Sequence, residues 1–160
     1  MNQHPHAAMR RKEREITDRT EIDGILASSK VMYLGLADQN IPFVVPVFFV
    51  YDGAAIYFHS ASAGSKIEIM KRNPKVCFVV SVDQGVIEDE KACDFEAKHR
   101  TVIGLGEAHF IEEEVEKIKV LDKIVALFST ERFEYPKSNL GHTTIVRIEI
   151  ESLKGKKHGI

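Results

Sequence analysis

His59, Ser60, Ser65 and Lys66 bring an imidazole, two hydroxyls and an ammonium group close together in the chain. A hydroxyl and a point-charge cation are suited to holding a phosphate. An imidazole that titrates near neutrality can move a proton beside it. All of them lie in the run YFHSASAGSKIEIMKRNPKVCFVV, residues 57–80. Ser65 is followed three positions later by Glu68, the capping-box pattern that opens a helix. Asn73-Pro74 ends it, because the residue before proline is pushed out of the α region. A helix N-terminus presents unpaired N–H groups and the positive end of its dipole. Two readings fit this stretch: a phosphate cradle with Ser60, Ser62, Ser65 and Lys66, or a capped helix with a solvated lysine. His59 is likewise either a working group or a satisfied strand histidine.

Other chemistries find less support. The histidines are scattered, without clustered carboxylate partners, so no metal site is expected. No nucleophile elbow is present. Gly104-Leu105-Gly106 is not a dinucleotide fingerprint, since no helix opens after it and the third glycine is missing. Two cysteines are too few for a disulfide framework, and Cys77, inside an apolar run, reads as inert packing.

The elements that position these residues follow from periodicity. Asp18 caps a helix with Ile22, Ile25 and Leu26 on one face, ending near Ser28-Ser29. Residues 31–37 form a strand and Asp38-Gln39-Asn40 a turn. Residues 42–51 form a second strand that is apolar on both faces, which requires a core on one side and a helix or another subunit on the other. Pro46 marks that strand as an edge or a bulge. Asp52-Gly53 predicts a type I′ hairpin into the strand that ends at Ser60. Residues 76–82 form the next strand, residues 83–98 a long polar connection, and residues 101–111 another strand. Small residues at 104, 106 and 108 admit a close approach or mark bulges. Glu112 to Phe128 reads as a helix with Val115, Ile118, Leu121, Ile124, Val125 and Phe128 on its buried face. Residues 130–142 read as loop and residues 143–153 as the last strand, followed by a basic tail. Six strands, mostly hairpin-connected with helices outside, imply a mainly β fold: a six-stranded antiparallel barrel with flanking helices.

Composition sets the remaining bounds. A chain of 160 residues with 44% apolar content fits one domain, here residues 9–160, after a disordered segment 1–8 and a solvated basic arm, MRRKEREI. A formal charge of -2 gives no reason to expect nucleic acid. No apolar run reaches the length of a membrane span and the N-terminus lacks a signal-peptide core, so a cytoplasmic protein is expected.

The opening MRRKEREITD, the stretch VVPVFFVYDGAAIYFHSASAGSK, NPKVCFVV, TVIGLGEA and the Glu116-Lys117 pair resemble the FMN-binding split β-barrel superfamily of pyridoxamine-phosphate-oxidase-like proteins. Within it the chain is most similar to the nitroimidazole-resistance (Nim) proteins. The resemblance implies a homodimer with a flavin, FMN or else FAD, in a groove between the subunits. It places Val45, Pro46 and Val47 on the strand that meets the isoalloxazine ring. His59 and Ser60 fall at the strand end that contacts the cofactor, and Ser65 and Lys66 in the phosphate-binding turn. It implies an FMN-dependent oxidoreductase that takes electrons from NADH or NADPH and reduces small acceptors such as nitroimidazoles, with His59 as the catalytic residue. Ser65-Lys66 lacks the adjacent arginine of the pyridoxamine-phosphate oxidases, so oxidation of that substrate is not expected. His99-Arg100-Thr101 departs from the tyrosine and serine usual in Nim-like chains, which alters the substrate pocket. Two rival readings on the same barrel are a haem-binding or haem-degrading protein with His158 as ligand, and a non-catalytic flavin-binding module.

Overall fold

In a computed structural model, whose described residues are 8–160, the alternating apolar runs become antiparallel strands of a single sheet. The strands are β1 Glu15–Ile16, β2 Val31–Asp38, β3 Ile41–Phe48, β4 Val50–Tyr51, β5 Ala55–Ala61, β6 Lys75–Ile87, β7 Glu96–Ile111 and β8 Thr143–His158. The helices are α1 Arg19–Ser28, α2 Ser65–Arg72, α3 Glu114–Val125 and α4 Lys137–His142. Strand order is β3-β2-β6-β7-β8-β5-β4, with β1 paired to β8. The two ends of this path, β3 and β4, are neighbours in sequence. The sheet therefore rolls into a barrel that is closed by the chain itself. At Phe49 the run 41–51 changes partner: residues 41–48 pair with β2 and residues 50–51 with β5. A split opens there between β3 and the far end of β5. The fold is the mainly β, antiparallel split barrel that the sequence implies, with the short β1 and β4 added to its six long strands.

The barrel interior is filled by Phe49, Phe58, Phe78, Met32, Leu34, Ile56 and Ile148, none with measurable exposure. Each such side chain contributes about 1.5–3 kcal/mol on burial. Asp18 caps α1, its Oδ1 accepting from Thr20 N at 2.9 Å, and Ile22, Ile25 and Leu26 are buried as their spacing requires. A smaller outer cluster joins Val120, Leu121 and Ile124 of α3 to Ile145 and Tyr57.

Several expectations need correction. Half of the polar connection 83–98 is strand: β6 and β7 stay paired to Ile87 and Glu96 beyond a bulge between Asp83 and Val86. Backbone hydrogen bonds hold this protruding hairpin where no apolar pattern announces it. The basic arm is not wholly solvated, since Glu15 and Ile16 pair with β8 and Ile16 is buried. The basic tail belongs to β8. His158 is bonded to Glu96, and Lys157 reaches Glu21 at 2.9 Å, so His158 does not sit in a mobile tail. Residues 137–142, read as loop, form α4 around buried Leu140. Helix α3 ends at Val125, which leaves Phe128 beyond it and exposed, and Val115, in its first turn, is exposed as well rather than on the buried face of Val120, Leu121 and Ile124. The hairpin forms one residue later than read: Asp52 bonds Ala55, Gly53 and Ala54 are the central pair, and only Gly53 has positive φ, the pattern of a type II′ turn. Asp52 Oδ1 instead accepts from Ala54 N and Ala55 N. The expected disorder of residues 1–8 falls, Ala8 apart, outside the described residues.

The small residues of β7 realise both of their readings. A Cβ on Gly104 would lie 2.1 Å from the Phe78 ring, so the ring is what approaches. Gly106 sits at the register shift against β8, where a Cβ would lie 2.3 Å from the Glu149 carbonyl oxygen.

Candidate functional site

The split brings most of the singled-out residues to one place. Val50 pairs with Tyr57, so extending the same register sets Phe49 against Phe58 and Phe48 against His59. Side chains alternate along strands. Phe49 and Phe58 are both fully buried and point inward, whereas Phe48 and His59 point outward and are exposed. Beyond this rung β5 stays with β8, where His59 pairs with Ile145 and Ser60 with Thr144, and β3 leaves with β2.

Phe49 N donates to Lys30 O at 3.0 Å, which fixes the phase of the β2–β3 ladder. Hydrogen-bonded pairs alternate with unbonded ones. Val45 and Val47 therefore turn their backbone groups to β2 and their side chains to the barrel interior. Pro46 and Val44 turn theirs to the open edge that faces the split. Pro46 sits where its missing N–H costs no ladder bond, as expected for an edge strand.

Ser65 and Lys66 begin α2 at the mouth of the split. The capping box does not form: Gly64, at φ 120°, is the N-cap, and no side chain caps the helix. Ile67 N and Glu68 N both donate to Gly64 O, at 3.0 and 3.1 Å, and Glu68 pairs instead with Lys71. The N–H groups of Ser65 and Lys66 have no backbone acceptor among the described residues. Glycine suits this position because a side chain at such φ is strained. Ser65 is exposed and lines an open groove of about 550 Å³ with Gln39, Phe43 and Arg72, whose guanidinium is held by Asp38.

Lys66 is half-buried, with its ammonium 5.6 Å from the centroid of the Phe58 ring and no carboxylate partner among the described residues. Desolvation lowers its pKa. Desolvation also lowers the pKa of His59, and the neighbouring Lys66 charge adds to the effect. The site thus joins the open groove at Ser65 to two orphan N–H donors and, beside the groove rather than in its lining, to the Lys66 ammonium and an imidazole held below its ordinary pKa. No cluster of three metal-ligating side chains occurs among the described residues, and no described helix is long and apolar enough to cross a membrane.

The sequence reading did not mark the exposed Phe48–Phe128 pair, because helical spacing assigned Phe128 to a buried face. Phe128 lies one turn past the end of α3 with its N–H on Val125 O.

An antiparallel barrel with this strand order is the fold of a known family. The chain belongs to the pyridoxamine 5′-phosphate oxidase family, whose sequence profile matches residues 18–157. It is similar to a candidate 5-nitroimidazole antibiotic resistance protein from Bacteroides thetaiotaomicron. That likeness has a TM-score of 0.79 and 27% identity, over 89% of this chain and 85% of that one. It shares its fold with the flavocytochrome Anf3 from Azotobacter vinelandii, at TM-score 0.83 and 24% identity over 96% of this chain and 73% of that one. It also shares it with the FAD and heme binding protein from Mycobacterium smegmatis, at TM-score 0.84 and 16% identity over 92% and 74%. No curated protein matches the chain.

Proposed function

We propose that the protein is a flavin-dependent oxidoreductase of the Nim-like type, with FMN as cofactor and small electron acceptors as substrates. The observation that carries this is the desolvated Lys66, without a carboxylate partner among the described residues, beside the orphan N–H groups of Ser65 and Lys66. Such a set is short of one dianion, and a flavin phosphate provides it. The residues present fit the group: Lys66, Ser65 and the α2 N-terminus would hold the phosphate beside the groove that Ile41, Pro42 and Phe43 line, and the open edge of β3 runs on from there through Val44 and Pro46 to meet the ring. Val45 and Val47 hold that edge in place from the barrel interior. His59 and Ser60 end β5 on the other side of the split. Bound there, FMN supplies two-electron transfer between a reduced nicotinamide and an acceptor such as a nitroaromatic. His59, its pKa held below the ordinary value by desolvation and the Lys66 charge, would relay a solvent proton to the acceptor or donate an N–H hydrogen bond to charge that develops there.

A homodimer completes this reading. The outer face of β3, β2, β6 and β7 carries rows of apolar residues in register: Val44, Gly35, Cys77, Leu105 and, beside them, Pro46, Tyr33, Val79, Ile103. Val44 and Tyr33 are 62% and 55% exposed in the single chain. A contiguous apolar sheet face of this kind marks an interface, and a second copy covers it.

The test is the visible spectrum of the purified protein with and without Lys66→Ala. The wild type should be yellow and release FMN on denaturation. Loss of a charge-assisted phosphate contact should weaken flavin binding by about tenfold or more. Equal flavin affinity in the two proteins refutes the phosphate assignment.

A further inference from the structure

The outer bank of the split carries a second feature that flavin binding leaves unused. Phe48, 52% exposed, and Phe128, 59% exposed, pack edge to face with centroids 5.7 Å apart. Lys30 stands over Phe128 at 4.9 Å and donates to Leu127 O at 3.0 Å. Phe48 follows Val44 and Pro46 on the outer face of β3, so the two exposed rings border the apolar rows assigned above to a second copy, on the side of the split. Their positions are also fixed. Phe128 is held by the turn that ends α3, with Phe128 N and Ser129 N both on Val125 O. Phe48 is held in the β2–β3 ladder opposite Val31. On the hairpin register Phe48 and His59 occupy the same face on the first rung beyond the split.

We infer that Phe48 and Phe128 form the wall that receives the ring of a planar aromatic acceptor, with Lys30 behind it and His59 on the opposite bank. This rests on the flavin reading above and adds where the substrate sits. Aromatic side chains bind flat rings by offset or edge-to-face packing. An acceptor that gains negative charge on reduction, such as a nitroaromatic, is further matched by the Lys30 ammonium and the His59 imidazole. The wall thus selects aromatic acceptors over compact ones, and it does so with residues that make no contact with the proposed phosphate cradle.

The test uses the oxidised, flavin-loaded protein without electron donor, titrated calorimetrically with 2-methyl-5-nitroimidazole. Wild type is compared with Phe128→Ala and Phe128→Trp, and flavin content and oligomeric state are recorded for each. Phe128→Ala should weaken ring binding by about tenfold while flavin content is kept, and Phe128→Trp should restore it. In turnover, the ratio of kcat/KM for the nitroimidazole to that for ferricyanide should fall with Phe128→Ala. Unchanged ring affinity in a flavin-replete variant overturns the wall and leaves the flavin reading standing. A variant that dissociates into monomers puts the rings in the subunit interface and also overturns it. A wild-type protein that takes up no flavin overturns both.

Discussion

Lys66 and His59 are coupled, and the coupling has a sign. The imidazole is held below its ordinary pKa by desolvation and by the Lys66 charge. A histidine lowered in this way binds its proton later in the folded chain than in the unfolded one. Folding stability is therefore complete above the unfolded value of 6.5 and declines as pH falls from there through the folded value. A phosphate on Lys66 cancels the charge that faces the ring. His59 should consequently titrate at higher pH in the loaded protein than in the empty one. Following the imidazole Cε1–H resonance against pH, with and without FMN, measures this. An unmoved midpoint would separate the two residues and detach the histidine from the phosphate site.

At the level of elements, what was legible in the sequence was whatever has a period or a punctuation mark. The Asp18 cap, the buried face of α1, the stop at Asn73-Pro74 and the edge position of Pro46 are local chemistry, and each appears as read. What was not legible was held by backbone ladders that polar side chains do not signal. The β6–β7 hairpin closes on a local ladder, Ile87 with Glu96, and the lysine-rich tail continues β8 by pairing with distant β7, Lys157 with Arg100. The capping box failed because Gly64, at positive φ, took the cap position one residue early. The proposed cradle does not depend on that box, since it needs the helix start and not the serine cap. The glycines of β7 give the element-scale prediction. Gly106→Ala drives a methyl into a backbone carbonyl, whereas Gly104→Ala meets the Phe78 ring, a buried side chain. Both should destabilise, by about 1–3 kcal/mol for overpacking, with Gly106→Ala the worse because a ladder cannot step aside. Urea unfolding of the two variants checks the order, and equal losses would mean that β8 yields as readily as the ring.

For the whole molecule, the proposed homodimer would tie assembly to cofactor retention through the apolar rows of β3, β2, β6 and β7. Tyr33→Lys places a charge within the proposed interface, away from the β3 edge that meets the flavin, while leaving the barrel interior untouched. The variant should sediment as a monomer and lose flavin in parallel, as read by analytical ultracentrifugation with absorbance at the flavin band. Monomers that keep their flavin would show that one subunit suffices for the site. Strand β8 has a consequence of another kind. It pairs with β1, β5 and β7, so three ladders wait for the same sixteen residues. On a ribosome, which delivers the chain from its N-terminus, β1, β5 and β7 emerge before their shared partner. Barrel closure is then held back until residue 158 has cleared the exit. Until that moment the nascent chain carries unpaired strand edges, the state in which chains of high contact order depend on chaperones.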